Sequence, residues 1–143
     1  MGGKSLLVFV QLFKNILGSV ALLLWATSAI AAPQKIVSLN LCTDQLLMLL
    51  ADPNQIASLS KIVDDPYVSL LAKKSKNFKR NSGDAEQIFM ESPDLVVAGV
   101  YTEKATVQML KSLGVRVEIF PIEQNFEDIL KNIRKMGDLV GHS

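Results

Sequence analysis

Beyond Lys35 the chain alternates between two hydrophobic rhythms. Lys35-Ile36-Val37-Ser38-Leu39 is a short, β-rich apolar run and predicts a strand. A polar turn over residues 40–43 follows. Leu46, Leu47, Leu49 and Leu50 then supply a broad apolar helical face. Thr43 is the expected cap of that helix and Asp44 its first residue, favourable near the positive end of the helix dipole. Asp52-Pro53-Asn54 stops the helix, because proline cannot continue it. Residues 56–59 predict a second strand, residues 60–66 a loop, and residues 66–72 a short helix with Pro66 in its first turn. Residues 73–82 carry five basic side chains and no periodicity, which predicts an exposed connection. Asp84 and Gln87 stand at capping-box spacing and open a helix that ends before Ser92-Pro93.

The second half repeats the alternation. Leu95-Val96-Val97-Ala98-Gly99 is continuously apolar, as in a strand buried on both faces. A helix over residues 103–113 follows, with Gly114 where a left-handed residue ends it. Residues 115–120 alternate and predict a strand. Asn125 caps a last helix whose apolar stripe is Phe126, Ile129, Leu130, Ile133, Met136 and Val140. Strand followed by helix, repeated, is the signature of an α/β class with a mainly parallel sheet. In such sheets ligands meet the loops at the carboxyl ends of the strands. Those loops are residues 40–43, 60–67, 99–102 and 121–125.

The first 31 residues have a different character. Lys4 and Lys14 are positive, and no acidic residue precedes Asp44. An apolar run over residues 16–32 ends in Ala29-Ile30-Ala31, a small-x-small pattern that a signal peptidase cuts. The expected organisation is a signal peptide over residues 1–31, cleaved before Ala32, and one domain over residues 32–143. The alternative is an uncleaved membrane anchor, for which the run sits at the short edge of the ~17–25 residues that span a bilayer. The expected location is the periplasm, or the membrane surface under the alternative.

Charge and composition exclude some functions. Of the fifteen basic and fourteen acidic residues, the leader takes two basic ones, leaving a net charge near −1. That argues against a nucleic-acid partner. Cys42 is the only cysteine, so the chain has no internal disulfide. It reads either as a small buried hydrophobe or as a thiol nucleophile at a helix start, where Asp44 opposes activation. His142, the only histidine, lies in a tail that cannot hold a catalytic group precisely. No phosphate-cradling glycine loop follows the first strand. Asp64 and Asp65 read as solvated turn residues or as half of a metal site. The basic residues between Lys73 and Arg80 read as a solvated connection or an anion-attracting patch. Tyr67 and Tyr101 sit in the strand-end loops, either as ligand-stacking rings or as half-buried packing residues.

These residues resemble a known family. The run KIVSLNLCTDQLLMLL, residues 35–50, looks like the first strand, turn and helix of periplasmic substrate-binding proteins of ABC importers for iron complexes and cobalamin. SPDLVVAG, residues 92–99, the following Val100-Tyr101-Thr102, and LGVRV, residues 113–117, fit the same family in order and spacing. The resemblance covers residues 36–140. It implies a Rossmann-like three-layer α/β lobe with a mainly parallel sheet, no catalysis and no cofactor. It also implies a two-lobed receptor that holds ligand in a cleft and delivers it to an ABC permease in the inner membrane. A surface glutamate before the Pro-Asp-Leu block docks on permease arginines in that family, and Glu86 matches it.

Members of the family are about twice this length, so the chain reads as the amino-terminal lobe, with the second lobe missing. The only tryptophan, Trp25, lies in the leader. Aromatic walls for a corrinoid are therefore thin, and an iron complex (iron–siderophore or haem) is favoured. The expected ligand contacts are Asn40, Leu41, Cys42 and Thr43, with Tyr67, Tyr101 and Thr102; no metal site is expected. Two rival expectations remain: a non-binding interaction lobe that docks through Glu86, and a small exported enzyme using Cys42.

Overall fold

The computed structural model describes residues 32–142. The signal-peptide and membrane-anchor readings both concern residues 1–31 and lie outside the described residues. Five short strands are separated by helices: β1 (Ile36–Ser38), α1 (Leu41–Leu50), β2 (Ile56–Ser60), α2 (Ala72–Ser75), β3 (Arg80–Asn81), α3 (Ala85–Met90), β4 (Leu95–Gly99), α4 (Lys104–Ser112), β5 (Val117–Phe120) and α5 (Phe126–Val140). Two 3-10 turns, Pro53–Gln55 and Lys61–Asp64, flank β2.

The strands run in the order β3-β2-β1-β4-β5, and every neighbouring pair is parallel. Alternation along each strand sends side chains to two faces. Ile36, Leu95 and Val97 join Leu47 and Met48 of α1 and Met136 and Val140 of α5 in the larger core. Val37 and Val96 face the other way and pack with Ile88 of α3 and Leu110 of α4. The result is the expected three-layer α/β lobe. A register shift between Ile36 and Val37 against β2 pairs Val37 with Ser58, turning the Ser58 hydroxyl onto Glu91 of α3's end at 2.9 Å. At the amino edge of the sheet, the Gln55 amide donates to Pro33 O at 2.9 Å and Val140 O at 3.1 Å.

Several expectations need correction. Asn40, not Thr43, caps α1: its backbone is extended and its side chain accepts from Thr43 N. Thr43 instead lies inside the first turn. Residues 66–72 do not form a helix; the helical turn there is Ala72–Ser75, and residues 61–64 are a 3-10 turn rather than open loop. Asp84 makes no side-chain cap bond. Gln87 accepts from Ser82 N at 2.9 Å instead of completing a capping box.

The basic segment over residues 73–82 is not a plain connection. It contains α2 and the edge strand β3, which pairs with Leu59 and Ser60. A two-residue strand is too short to display a period, and charge on an edge strand blocks unwanted pairing. The β5 alternation begins at Val117, two residues later than expected. Finally, the α5 stripe is only half covered: Met136 and Val140 are buried, while Phe126 is 73% exposed and Ile129 and Ile133 are also exposed.

Candidate functional site

The winding sets the site. From β1 the chain moves outward through β2 to β3, then returns to the other side for β4 and β5. The order therefore reverses between β1 and β4, and their carboxyl ends diverge into loops that leave a crevice. Residues 39–40 leave β1 there, and residues 100–103 leave β4.

Hydrogen bonds fix both turns. Leu39 N donates to Val97 O at 3.0 Å, keeping the β1 exit against β4. The Asn40 Oδ1 accepts from Thr43 N at 2.9 Å and from Thr43 Oγ1 at 3.0 Å. The Ser38 and Thr43 hydroxyls share a bond of 2.7 Å. Across the crevice, Gly99 N donates to Thr102 Oγ1 at 3.1 Å, and Thr102 N donates to Gly99 O at 3.0 Å. Glycine at position 99 makes room for Asn40: a Cβ there would collide with the Asn40 amide and force that side chain to move. Sequence and turn geometry thus interlock the two loops.

Beneath them lies a buried carboxylate. Asp44, fully buried in the first turn of α1, accepts from Ser60 N at 3.1 Å and from the Ser60 hydroxyl. Burial pushes its pKa up to about 6, against the Ser60 hydrogen bonds that favour the charged form. Nearby, Asn81 Nδ2 donates to Ser38 O at 2.9 Å and Ser58 Oγ at 3.2 Å, tying the ends of β1, β2 and β3. Arg80 grips Asp64 through Nε at 2.8 Å and through Nη2. Ser75 Oγ also donates to Asp64 at 2.9 Å. The Arg80 guanidinium holds the Asp64 carboxyl below its ordinary range.

The surface above this layer is apolar and aromatic. On the β2 side Tyr67 and Leu70 are each 95% exposed, beside the half-exposed Val68 and Ile62. On the β4 side Tyr101 is 87% exposed, next to Val100. A hollow of about 270 Å³ lies between α4 and the ends of β4 and β5, lined by Gly99, Val100, Thr102, Val107 and Ile119 with Lys104 and Gln108 beside them.

The structure brings Asn40, Leu41, Cys42, Tyr101 and Thr102 to the two sides of the crevice, with Tyr67 on the neighbouring loop. Thr43 is a correction: it is fully buried and supports Asn40 from below. Cys42 is also a correction to the buried-hydrophobe reading, since it is exposed. Its thiol is raised above its ordinary value by partial burial of the sulfur, then by the Glu123 and Asp44 carboxylates. Such a thiol is the reverse of an activated nucleophile. Tyr67 and Tyr101 are exposed rings, not half-buried ones. Asp64 is an ion-pair partner of Arg80, and His142 Nδ1 lies 2.7 Å from Leu50 O, far from the crevice.

Among the described residues no group of three or more His, Cys, Asp or Glu is placed to hold a metal ion. Glu86 sits exposed in the first turn of α3. It borders a depression of about 460 Å³ with Asp84, Glu103 and Met109. Sequence reasoning passed over Leu70, Val68 and Val100. Val100 stood in a strand-end loop as an apolar residue, whereas Val68 and Leu70 fell within the helix expected over residues 66–72 and emerge as exposed loop residues only because the helical turn begins at Ala72.

No family model and no curated protein matches this chain by sequence. Solved structures match by fold. A periplasmic haem-binding protein from Pseudomonas aeruginosa aligns with TM-score 0.62 and 20% identity over 77% of this chain and 39% of its own. The periplasmic vitamin B12-binding protein BtuF of Vibrio cholerae aligns with TM-score 0.58 and 18% identity, over 75% of this chain and 41% of its own. Helicobacter pylori CeuE, solved as a Ni-His complex, aligns with TM-score 0.60 and 19% identity, over 79% and 39%. The chain spans about two fifths of the length of these structures. Its described residues have the α/β fold of the part of those binding proteins that they cover.

Proposed function

We propose that the chain is one lobe, the amino-terminal one, of an exported solute-binding protein that captures a large metal complex and delivers it to an ABC permease. The complex is an iron–siderophore, haem or a corrinoid-type ligand. One observation carries this reading: an exposed apolar and aromatic rim stands at the carboxyl ends of the strands, with Tyr101 at the point where the strand order reverses and Tyr67 on the neighbouring loop after β2. Rings this exposed contribute little to folding, whereas aromatic groups at such sites supply large contact area. The likeness to haem- and B12-binding proteins points to the same class of cargo. Asn40, Cys42 and Thr102 provide the polar and small groups between the rings, and Leu41 an apolar one. Export through cleavage after Ala31 belongs to the same reading, as does docking on permease arginines through Glu86.

A single lobe offers one wall. It covers far less of a ligand than the ~70–90% typical of a formed pocket, so binding by the chain alone is weak. The test is a titration of the purified chain with ferric hydroxamates, hemin and cyanocobalamin, followed by tyrosine fluorescence and calorimetry. At least one is expected to bind, and Tyr67→Ala or Tyr101→Ala to weaken it by about 1–2 kcal/mol with unchanged unfolding. Absence of a response to every complex, or binding indifferent to both tyrosine substitutions, refutes the proposal.

A further inference from the structure

The last helix carries one apolar stripe, and the lobe covers only half of it. At about 100° per residue, Phe126, Ile129, Leu130 and Ile133 fall on the same arc of α5 as Met136, Gly137 and Val140. The last three are buried. Of the first four, Phe126, Ile129 and Ile133 are exposed and Leu130 is only partly covered. A contiguous apolar surface of this kind marks an interaction site on a soluble protein. It lies in neither of the hollows described above, so a second protein surface suits it better than a small ligand does.

The charges at the edge of the stripe say which surface. Glu127 and Arg134 border the same edge two turns apart, the acid beside Phe126 and the base beside Ile133. Within one chain they approach to 3.8 Å with both side chains exposed, a pairing of little strength. The other charges of the helix face away from the stripe, where Lys131 meets Asp128 at 3.4 Å and Lys135 meets Glu118 at 3.5 Å. The edge of the stripe is thus acidic at one end and basic at the other, which is complementary to itself when reversed.

We infer that this half of α5 is a dimerisation surface whose occupant is the same half of α5 in a second copy of the chain, packed antiparallel. A two-fold axis beside Ile129 and Leu130 sets Phe126 against the partner's Ile133, and the reverse, as an isologous contact requires. The same axis brings Glu127 within about two residues' rise, ~3 Å, of the level of the partner's Arg134. A parallel pair would set Glu127 against the partner's Glu127. One helix per subunit is a small interface, so dissociation constants in the range of about 10–100 µM are expected. This surface is independent of the solute-binding reading, and neither falls with the other.

Sedimentation equilibrium tests it on the chain from Ala32 onward, since residues 31–143 form one compact unit. The mass is expected to rise from monomer toward dimer between about 5 and about 500 µM. Phe126→Ala should weaken association about tenfold or more with unchanged urea unfolding. Glu127→Arg and Arg134→Glu should each weaken it severalfold, because each sets like charges together across the axis. Mixed with each other, those two variants should associate more tightly than either does alone. A pairing confined within one chain would not produce that rescue. A mass that stays monomeric throughout overturns the inference, as does association indifferent to Phe126→Ala or a mixture no tighter than its components. If Phe126→Ala instead weakens the binding of hemin, cyanocobalamin or a ferric hydroxamate and leaves the mass unchanged, the stripe is part of a cargo wall and the inference falls.

Discussion

Asp44→Asn should stabilise the protein at neutral pH and leave it nearly unchanged in acid. The Asp44 carboxyl is fully buried, and its pKa rises from 3.8 to about 6 in the folded chain. The folded state therefore binds a proton more readily than the unfolded chain between those two values. Stability must then fall as pH rises from about 4 to about 6 and level off above, since the slope follows the difference in bound protons. At about 1.4 kcal/mol per pKa unit, the ionised carboxylate costs about 3 kcal/mol above pH 7. An amide avoids the charge and keeps the geometry: Oδ1 accepts from Ser60 N, and Nδ2 donates to the Ser60 hydroxyl. Exchange of those hydrogen bonds changes stability by about 1 kcal/mol or less. The variant is thus expected to gain about 2–3 kcal/mol at pH 7.5 and about nothing at pH 4. Urea unfolding of both proteins at half-unit steps from pH 4 to pH 8 measures this, and subtracting the curves removes every other titrating group. A difference that is flat with pH, or that grows toward acid, refutes the reasoning.

Two further substitutions test the rim. Gly99→Ala should push the Asn40 side chain out of its cap and cost about 1 kcal/mol, as should Asn40→Ala. Because both lose the same cap, the double variant should lose about as much as either alone in chemical denaturation; simple additivity would show that the loops are not interlocked. Alkylation of Cys42 by iodoacetamide should have its pH–rate midpoint above that of the unfolded chain, and Glu123→Gln should lower it. A folded midpoint at or below the unfolded one rules out the field assigned to the crevice.

The buried sheet was the most legible part of the sequence. Val96, Val97 and Ala98 announce a strand covered on both faces, and Gly114 announces a helix end by its position alone; its φ is +82°. What stayed hidden depended on partners distant in the chain. The two residues of β3 form a strand only because Leu59 and Ser60 lie alongside them. Asn40 outcompetes Thr43 as cap because the adjacent Ser38 hydroxyl draws Thr43 inward. The identity of the rim loops followed from the strand–helix alternation. Their junction followed from strand order, which periodicity does not contain. Asp44 looked like an ordinary first-turn acid, and only the return of β2 beside α1 enclosed it. The Phe126–Ile133 half of the last helix looked like core for the opposite reason: its spacing was right, but among the described residues nothing covers it.

The Gln55 amide holds Pro33 and Val140 together on the side of the sheet away from the crevice. Tension applied between those two points would load this amide before it reached any strand. A surface linkage placed on either segment would leave Tyr67 and Tyr101 pointing outward into solution. A linkage made at Pro33 or Val140 would therefore be spatially separated from the strand-end crevice.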